Sequence, residues 1–167
     1  MCKLLLHSYM LLYLKLYPYL AQWVQHEFAN AEGVVHFPKG SAEHNVMEMM
    51  LQRRPPRTVP ELPEAGTIAI NIPSFRCKPA ESYYHLSKNA RKVLAHTIYT
   101  RFKVQLWEDL YNIESLQLPI SNTIYDWMER HGIADTPENW ETIRQMFYRQ
   151  RKKYSVKKEL KEDELKV

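Results

Sequence analysis

The sequence predicts a mostly α, α+β fold: a helical domain with a minor two-stranded β element and a C-terminal helix-turn-helix-like pair. Three observations lead there. Apolar residues recur at helical spacing over most of the 167 residues. One short segment, Thr67 to Ile72, alternates strictly between isoleucine and smaller or polar residues, the period of a strand. Glycine occurs only four times, too rarely for a many-stranded sandwich with frequent tight turns or for Gly-rich phosphate loops.

Composition fits a folded chain, since 45% of residues are hydrophobic and 12% aromatic, enough to build a core. Two cysteines, Cys2 and Cys77, make neither a CxxC pair nor a disulfide framework, which points to a reducing cytoplasm. The apolar N-terminus resembles the core of a signal peptide around Leu4-Leu5-Leu6 and Leu11 to Leu14. His7 and Ser8 interrupt it, no small-x-small site follows, and Pro18 comes before a membrane-spanning length. The expectation is a buried or partner-packed helix, with no membrane association.

From Pro18 a helix is expected to run from Tyr19 to Asn30, with Leu20, Trp23, Val24 and Phe28 on one side and Gly33 closing it. Val34 to Phe37 reads as a short strand stopped by Pro38, and the Thr67 to Ile72 strand is its expected partner. Between them Ser41 caps a helix over 42–52 with Val46, Met49, Met50 and Leu51 inward. Residues 53–66 hold four prolines and read as an extended connector. Ser87 opens a helix to about Phe102, with Val93, Leu94, Ile98 and Phe102 inward, and a second helix is expected from Val104 to Ile113.

In the C-terminal part, Ser121 is expected to cap a helix from Asn122 to His131 that buries Ile124, Trp127 and Met128. Gly132 stands where a left-handed residue ends a helix, with Ile133 placed to pack on Met128. Thr136-Pro137-Glu138 then has the residue types of a helix start: a hydroxyl cap, a proline at the first position and an acid near the positive dipole end. The predicted organisation is 1–79 with helices, short strands and the Pro-rich connector, 80–156 helical, and 157–167 a charged tail, forming one compact unit.

Charge is segregated. Residues 141–161 carry eight basic groups against two acids, Glu141 and Glu159, and so are net +6 in a chain of net +4, which leaves the rest at −2. A basic segment on a near-neutral body is an electrostatic footprint for a polyanion. At roughly 100° per residue, Trp140, Ile143, Met146, Phe147 and Tyr154 fall on the inward side. Arg144, Gln145, Tyr148, Arg149, Lys152 and Lys153 fall outward, with Arg151, Lys157 and Lys158 adding charge. Arg and Lys neutralise phosphates, Arg and Gln can pair with base edges, and Tyr can stack on a base or bond a phosphate. A solvated polar face or an acidic protein partner are the alternatives. Exposed helix faces usually interleave acid with base, and here Glu141 is the only acid between Trp140 and Val156.

No catalytic pattern accompanies this helix. None of the seven histidines pairs with another at i,i+4, His26-Glu27 lacks the second histidine of HExxH, and Cys77 has no ligand neighbour. Ser87-Lys88 is better explained by a helix cap than by a Ser/Lys dyad, and Tyr83-Tyr84-His85 by aromatic packing than by a tyrosine nucleophile. The expectation is a protein without enzymatic activity, metal or cofactor. It is expected to bind nucleic acid, duplex DNA ahead of RNA, with a protein partner or self-association through the apolar N-terminus as the alternative.

Several runs, Val35-His36-Phe37-Pro38-Lys39-Gly40-Ser41, Ile70-Asn71-Ile72-Pro73, Trp127 to Ile133 and Asn139 to Ile143, resemble small uncharacterised accessory proteins of mobile elements and prophages of gut-type bacteria. The resemblance covers most of residues 17–154. It implies an accessory role in an element that replicates, integrates or counters host defence, compatible with DNA binding or with inhibition of a nucleic-acid-handling enzyme. It carries over no site residue.

Overall fold

The structure is a computed structural model that describes residues 10–57, 62–111 and 119–164, with residues 156–164 as backbone alone. The fold is mostly helical with minor β structure, as the sequence predicts. The chain divides into two compact units, Met1–Tyr99 and Thr100–Val167. The division falls inside a helix, Lys88–Leu110.

In the first unit, β1 (Leu11–Lys15) pairs antiparallel with β3 (Thr67–Asn71), Leu12 opposite Ile70 and Leu14 opposite Ile68. These four side chains are buried, so alternation on both strands points one face inward. The N-terminal apolar run was expected to be helical. Over 11–15 it is a strand, because Tyr13 and Lys15 lie out of phase with Leu12 and Leu14 and the chain needs a partner for the isoleucine strand. Residues 1–9 lie outside the described residues.

The expected strand at 34–37 is reduced to Val35, which lies along the other edge of β3. Its N–H donates to the Ala69 carbonyl and its carbonyl accepts from Asn71 N–H, both at 2.9 Å. His36 N–H points the other way and donates to the Phe28 carbonyl at 2.9 Å. The residues before Val35 are shaped by Asn30, whose Oδ1 accepts from the N–H groups of Glu32 and Val34 at 3.0 Å each, with Gly33 at φ +77°.

Helix α1 (Pro18–Phe28) has Pro18 at its first position and buries Tyr19, Leu20, Trp23 and Val24. In α2 (Ala42–Met50), the Ser41 hydroxyl accepts from His44 N–H at 3.2 Å, as the sequence predicts. Its inward residues are Glu43, Val46 and Met47. Met49, expected inward, is exposed, because 43, 46, 47 and 50 share the face that meets the core. Lys78 Nζ donates to the Met49 carbonyl at 2.9 Å and so places a cation on the negative end of α2. A second ribbon joins β2 (Gln52–Arg53) to β4 (Tyr83–His85).

Helix α3 (Lys88–Leu110) opens on Ser87, whose hydroxyl accepts from Ala90 N–H at 3.2 Å. It runs without the break expected near Lys103. Ala90, Leu94, Ile98, Phe102, Leu106 and Leu110 are all buried, an unbroken i,i+4 stripe that crosses the expected break. Val93, expected inward, lies off that stripe and is exposed.

The second unit contains the end of α3, then α4 (Ile120–Arg130) and α5 (Pro137–Glu164). Its core is built from Phe102, Leu106, Ile124, Trp127, Met128, Ile133, Ile143 and Phe147, each at most 3% exposed. Fully burying a side chain of this size stabilises the fold by roughly 1.5–3 kcal/mol. Ser121 is not the cap it was expected to be. The helix starts two residues earlier, capped by Pro119, and Ser121 lies exposed in its first turn. Among the described residues, no helix is long and apolar enough to cross a membrane.

Candidate nucleic-acid interface

The α4–α5 corner is formed by backbone chemistry written in the sequence. Ile133 N–H donates to the Met128 carbonyl at 2.9 Å and Gly132 N–H to the Glu129 carbonyl at 3.1 Å, the two bonds of a Schellman end. Gly132 holds φ +65°, which only glycine adopts at little cost. Thr136 Oγ1 then accepts from Asn139 N–H at 3.2 Å, Pro137 occupies the first position of α5, and Glu138 lies in its first turn. The buried Asn139 amide donates to the Ala134 carbonyl at 3.0 Å, tying the turn to the helix it precedes. The two helices flank a glycine-containing turn as expected. That turn spans 131–136, longer than the three or four residues usual in a helix-turn-helix.

On α5, Ile143, Met146 and Phe147 are buried, in agreement with the predicted inward stripe. Gln145, Tyr148, Arg149, Lys152 and Lys153 are exposed on the predicted outward face, while Arg151 is half-buried. Lys157 and Lys158 continue the helical backbone, and their side chains lie outside the described residues. Tyr154, assigned to the inward stripe, is 51% exposed. Its ring rests on Trp107 (centroids 5.5 Å apart) and on Tyr111 (6.5 Å), forming an aromatic cluster on one shoulder of the helix.

Arg144 behaves differently from the other predicted contacts. Its Nε and one terminal nitrogen each donate to a different oxygen of Glu141, both at 2.9 Å. Gln145 Nε2 donates to the same carboxylate at 2.9 Å. The hydrogen bonds from Arg144 and then Gln145 hold the Glu141 carboxyl below its usual range, and Glu141 raises the guanidinium in turn. The guanidinium carbon lies 5.2 Å from the Trp140 ring centroid and 5.7 Å from that of Tyr148. Trp140 also stacks with Tyr125 of α4, with centroids 5.4 Å apart and planes 17° from parallel.

Tyr125, Trp140, Arg144 and Tyr148 therefore form one continuous ladder of π and cation–π contacts along the α4–α5 seam. Its two end rings, Tyr125 and Tyr148, are 40% and 41% exposed. The sequence contained part of this ladder, because Trp140, Arg144 and Tyr148 are spaced i,i+4,i+8 on one helix. Tyr125 belongs to another element, and no local spacing ties it to Trp140.

Among the described residues, no group of three or more His, Cys, Asp or Glu side chains is gathered as a metal site would require. Cys77 is a free, exposed thiol. No family model, characterised protein or solved structure matches the chain.

Proposed function

We propose that this protein binds nucleic acid through the exposed face of α5, as a non-catalytic accessory or regulatory protein. The observation that carries the reading is the fate of the single acid on that face. Glu141 is bound by Arg144 and Gln145, and no other carboxylate lies on the helix between Trp140 and Ser155, so Arg149, Lys152 and Lys153 present positive charge. The resemblance to accessory proteins of mobile elements supplies a biological setting, in which such a surface would act on the element's own nucleic acid or on that of its host.

Affinity should weaken steeply with salt. Counterion release from about three to five neutralised phosphates gives a log–log slope of about −3 to −5. Changing Arg149, Lys152 and Lys153 together to Glu should abolish binding while circular dichroism stays unchanged, since all three side chains are exposed. Retained affinity in a folded triple variant, or binding indifferent to salt, would rule the reading out.

A further inference from the structure

We infer that the nucleic acid taken by this surface is single-stranded, with bases stacking on the exposed rings of Tyr125 and Tyr148 while Arg149 and Lys152 hold phosphates. The inference rests on the proposed function and names the ligand class of the same site.

Arg144 is the first reason. Reading a base pair in a duplex groove uses the two-point fork of an arginine or the amide of a glutamine. Arg144 has its fork closed on Glu141 and its guanidinium carbon over the Trp140 and Tyr148 rings. Gln145 spends its amide on Glu141 and accepts from Arg149 at 3.4 Å. Two of the groups suited to reading a base edge, Arg144 and Gln145, are thus engaged within the protein.

The second reason is what the ladder leaves open. Tyr125 and Tyr148 cap its two ends and are held in place by the rings and guanidinium between them. A ring fixed in this way loses little side-chain entropy when a flat partner lands on it. In a duplex the π-faces of the bases are already covered by their neighbours, so an exposed protein ring finds nothing to stack on. In a single strand every base offers a face. Arg149 and Lys152 lie within a helical turn of Tyr148, at i+1 and i+4, where they can meet the phosphates flanking a base stacked on that ring. Exposed cations beside fixed aromatics form a stacking platform along an electrostatic track.

The test uses the full chain and three labelled probes followed by fluorescence anisotropy: an unstructured oligothymidylate, an oligouridylate, and a mixed-sequence duplex of the same length. Single strands should bind about tenfold tighter than duplex or better. Tyr148→Ala and Tyr125→Ala should each lower single-strand affinity about tenfold, without changing the salt slope or the duplex affinity. Tyr148→Phe should retain the single-strand affinity, since the ring rather than the hydroxyl does the stacking. Equal affinity for single strand and duplex, or tyrosine variants without effect, overturns the inference and leaves the proposed function standing. Failure to bind any of the three probes overturns both. Comparable binding of the thymidine and uridine probes supports stacking, which is blind to the sugar.

Discussion

The indole N–H of Trp127 donates to the Asp109 carboxylate at 2.8 Å, joining the centre of α4 to the last turn of α3. Trp127 is fully buried and its ring meets Phe102 edge-on at 5.6 Å. His131 Nε2 lies 3.4 Å from the same carboxylate oxygen. One carboxylate therefore serves the only polar atom of the largest side chain in the core of the second unit. Asp109→Ala should destabilise the fold by about 1–3 kcal/mol, the cost of a buried donor left without its acceptor. Asp109→Asn keeps an acceptor and should cost less. Trp127→Phe combined with Asp109→Ala should cost less than the sum of the single changes, because the second change finds no bond to break. Urea midpoints followed by circular dichroism give all three values, and strict additivity would contradict the coupling.

Gly132 makes a second, sharper prediction about the same unit. Its φ of +65° and its bond to the Glu129 carbonyl form the corner from which α5 departs. Alanine at this position must take a backbone conformation that its Cβ disfavours, so Gly132→Ala should cost about 1 kcal/mol. Asparagine tolerates the left-handed region better, and Gly132→Asn should lie between the two. Thermal midpoints in the order Gly, Asn, Ala would show that backbone conformation sets the ranking.

That corner was fully legible in the sequence because every part of it is local. The glycine, the threonine cap, the proline at the first helical position and the apolar residue past the glycine all act over a few residues. Ser41 and Ser87 were legible for the same reason. The strand at the N-terminus was not local in this sense. Leu11 to Lys15 fits either period over so short a run, and only its pairing with Thr67 to Asn71 decides for the strand. The expected break in α3 gave too little weight to an i,i+4 stripe that runs straight through it.

The candidate site divides along the same line. The exposed face of α5 followed from helical rotation, and the structure places Gln145, Tyr148, Arg149, Lys152 and Lys153 on it. Rotation alone could not tell that Arg144 and Glu141, three residues apart, would satisfy each other. Nor could it place Tyr125 on Trp140, since that contact depends on how α4 and α5 pack.

In the first unit, Tyr19 is 7% exposed, and burial, followed by the nearby Tyr99 and Tyr17, pushes its pKa up to about 12. A raised folded-state value means that stability is fully present below the unfolded pKa of about 10 and is lost as pH rises through the folded value. Alkaline unfolding should therefore set in between about pH 10 and 12, with ionisation of this phenol contributing. Ultraviolet difference titration should resolve one tyrosine that ionises late, and Tyr19→Phe should remove that step and soften the alkaline loss of stability. An unchanged titration curve in the variant would show that the late phenol is another one.

Glu141 connects the structure of α5 to its proposed use. Its carboxyl is held low by Arg144 and Gln145, so the pairing persists throughout the ordinary carboxylate range and is lost only as pH falls through the lowered folded value. Glu141→Gln removes the charge that closes the Arg144 fork and should leave Arg144 held by its two aromatic neighbours alone. The variant gains one net positive charge on the basic face. Nucleic-acid affinity at low salt should then rise several-fold, and the salt slope should steepen by about 0.7 to 0.9, one added phosphate contact. Because Arg144 sits between Trp140 and Tyr148, the added contact falls on the ladder itself, so the gain should be larger for single strands than for duplex. An equal gain for both would mean that the released guanidinium acts only as a diffuse charge. A loss of affinity would mean that the Glu141 clamp orders the ladder and that Tyr148 depends on it.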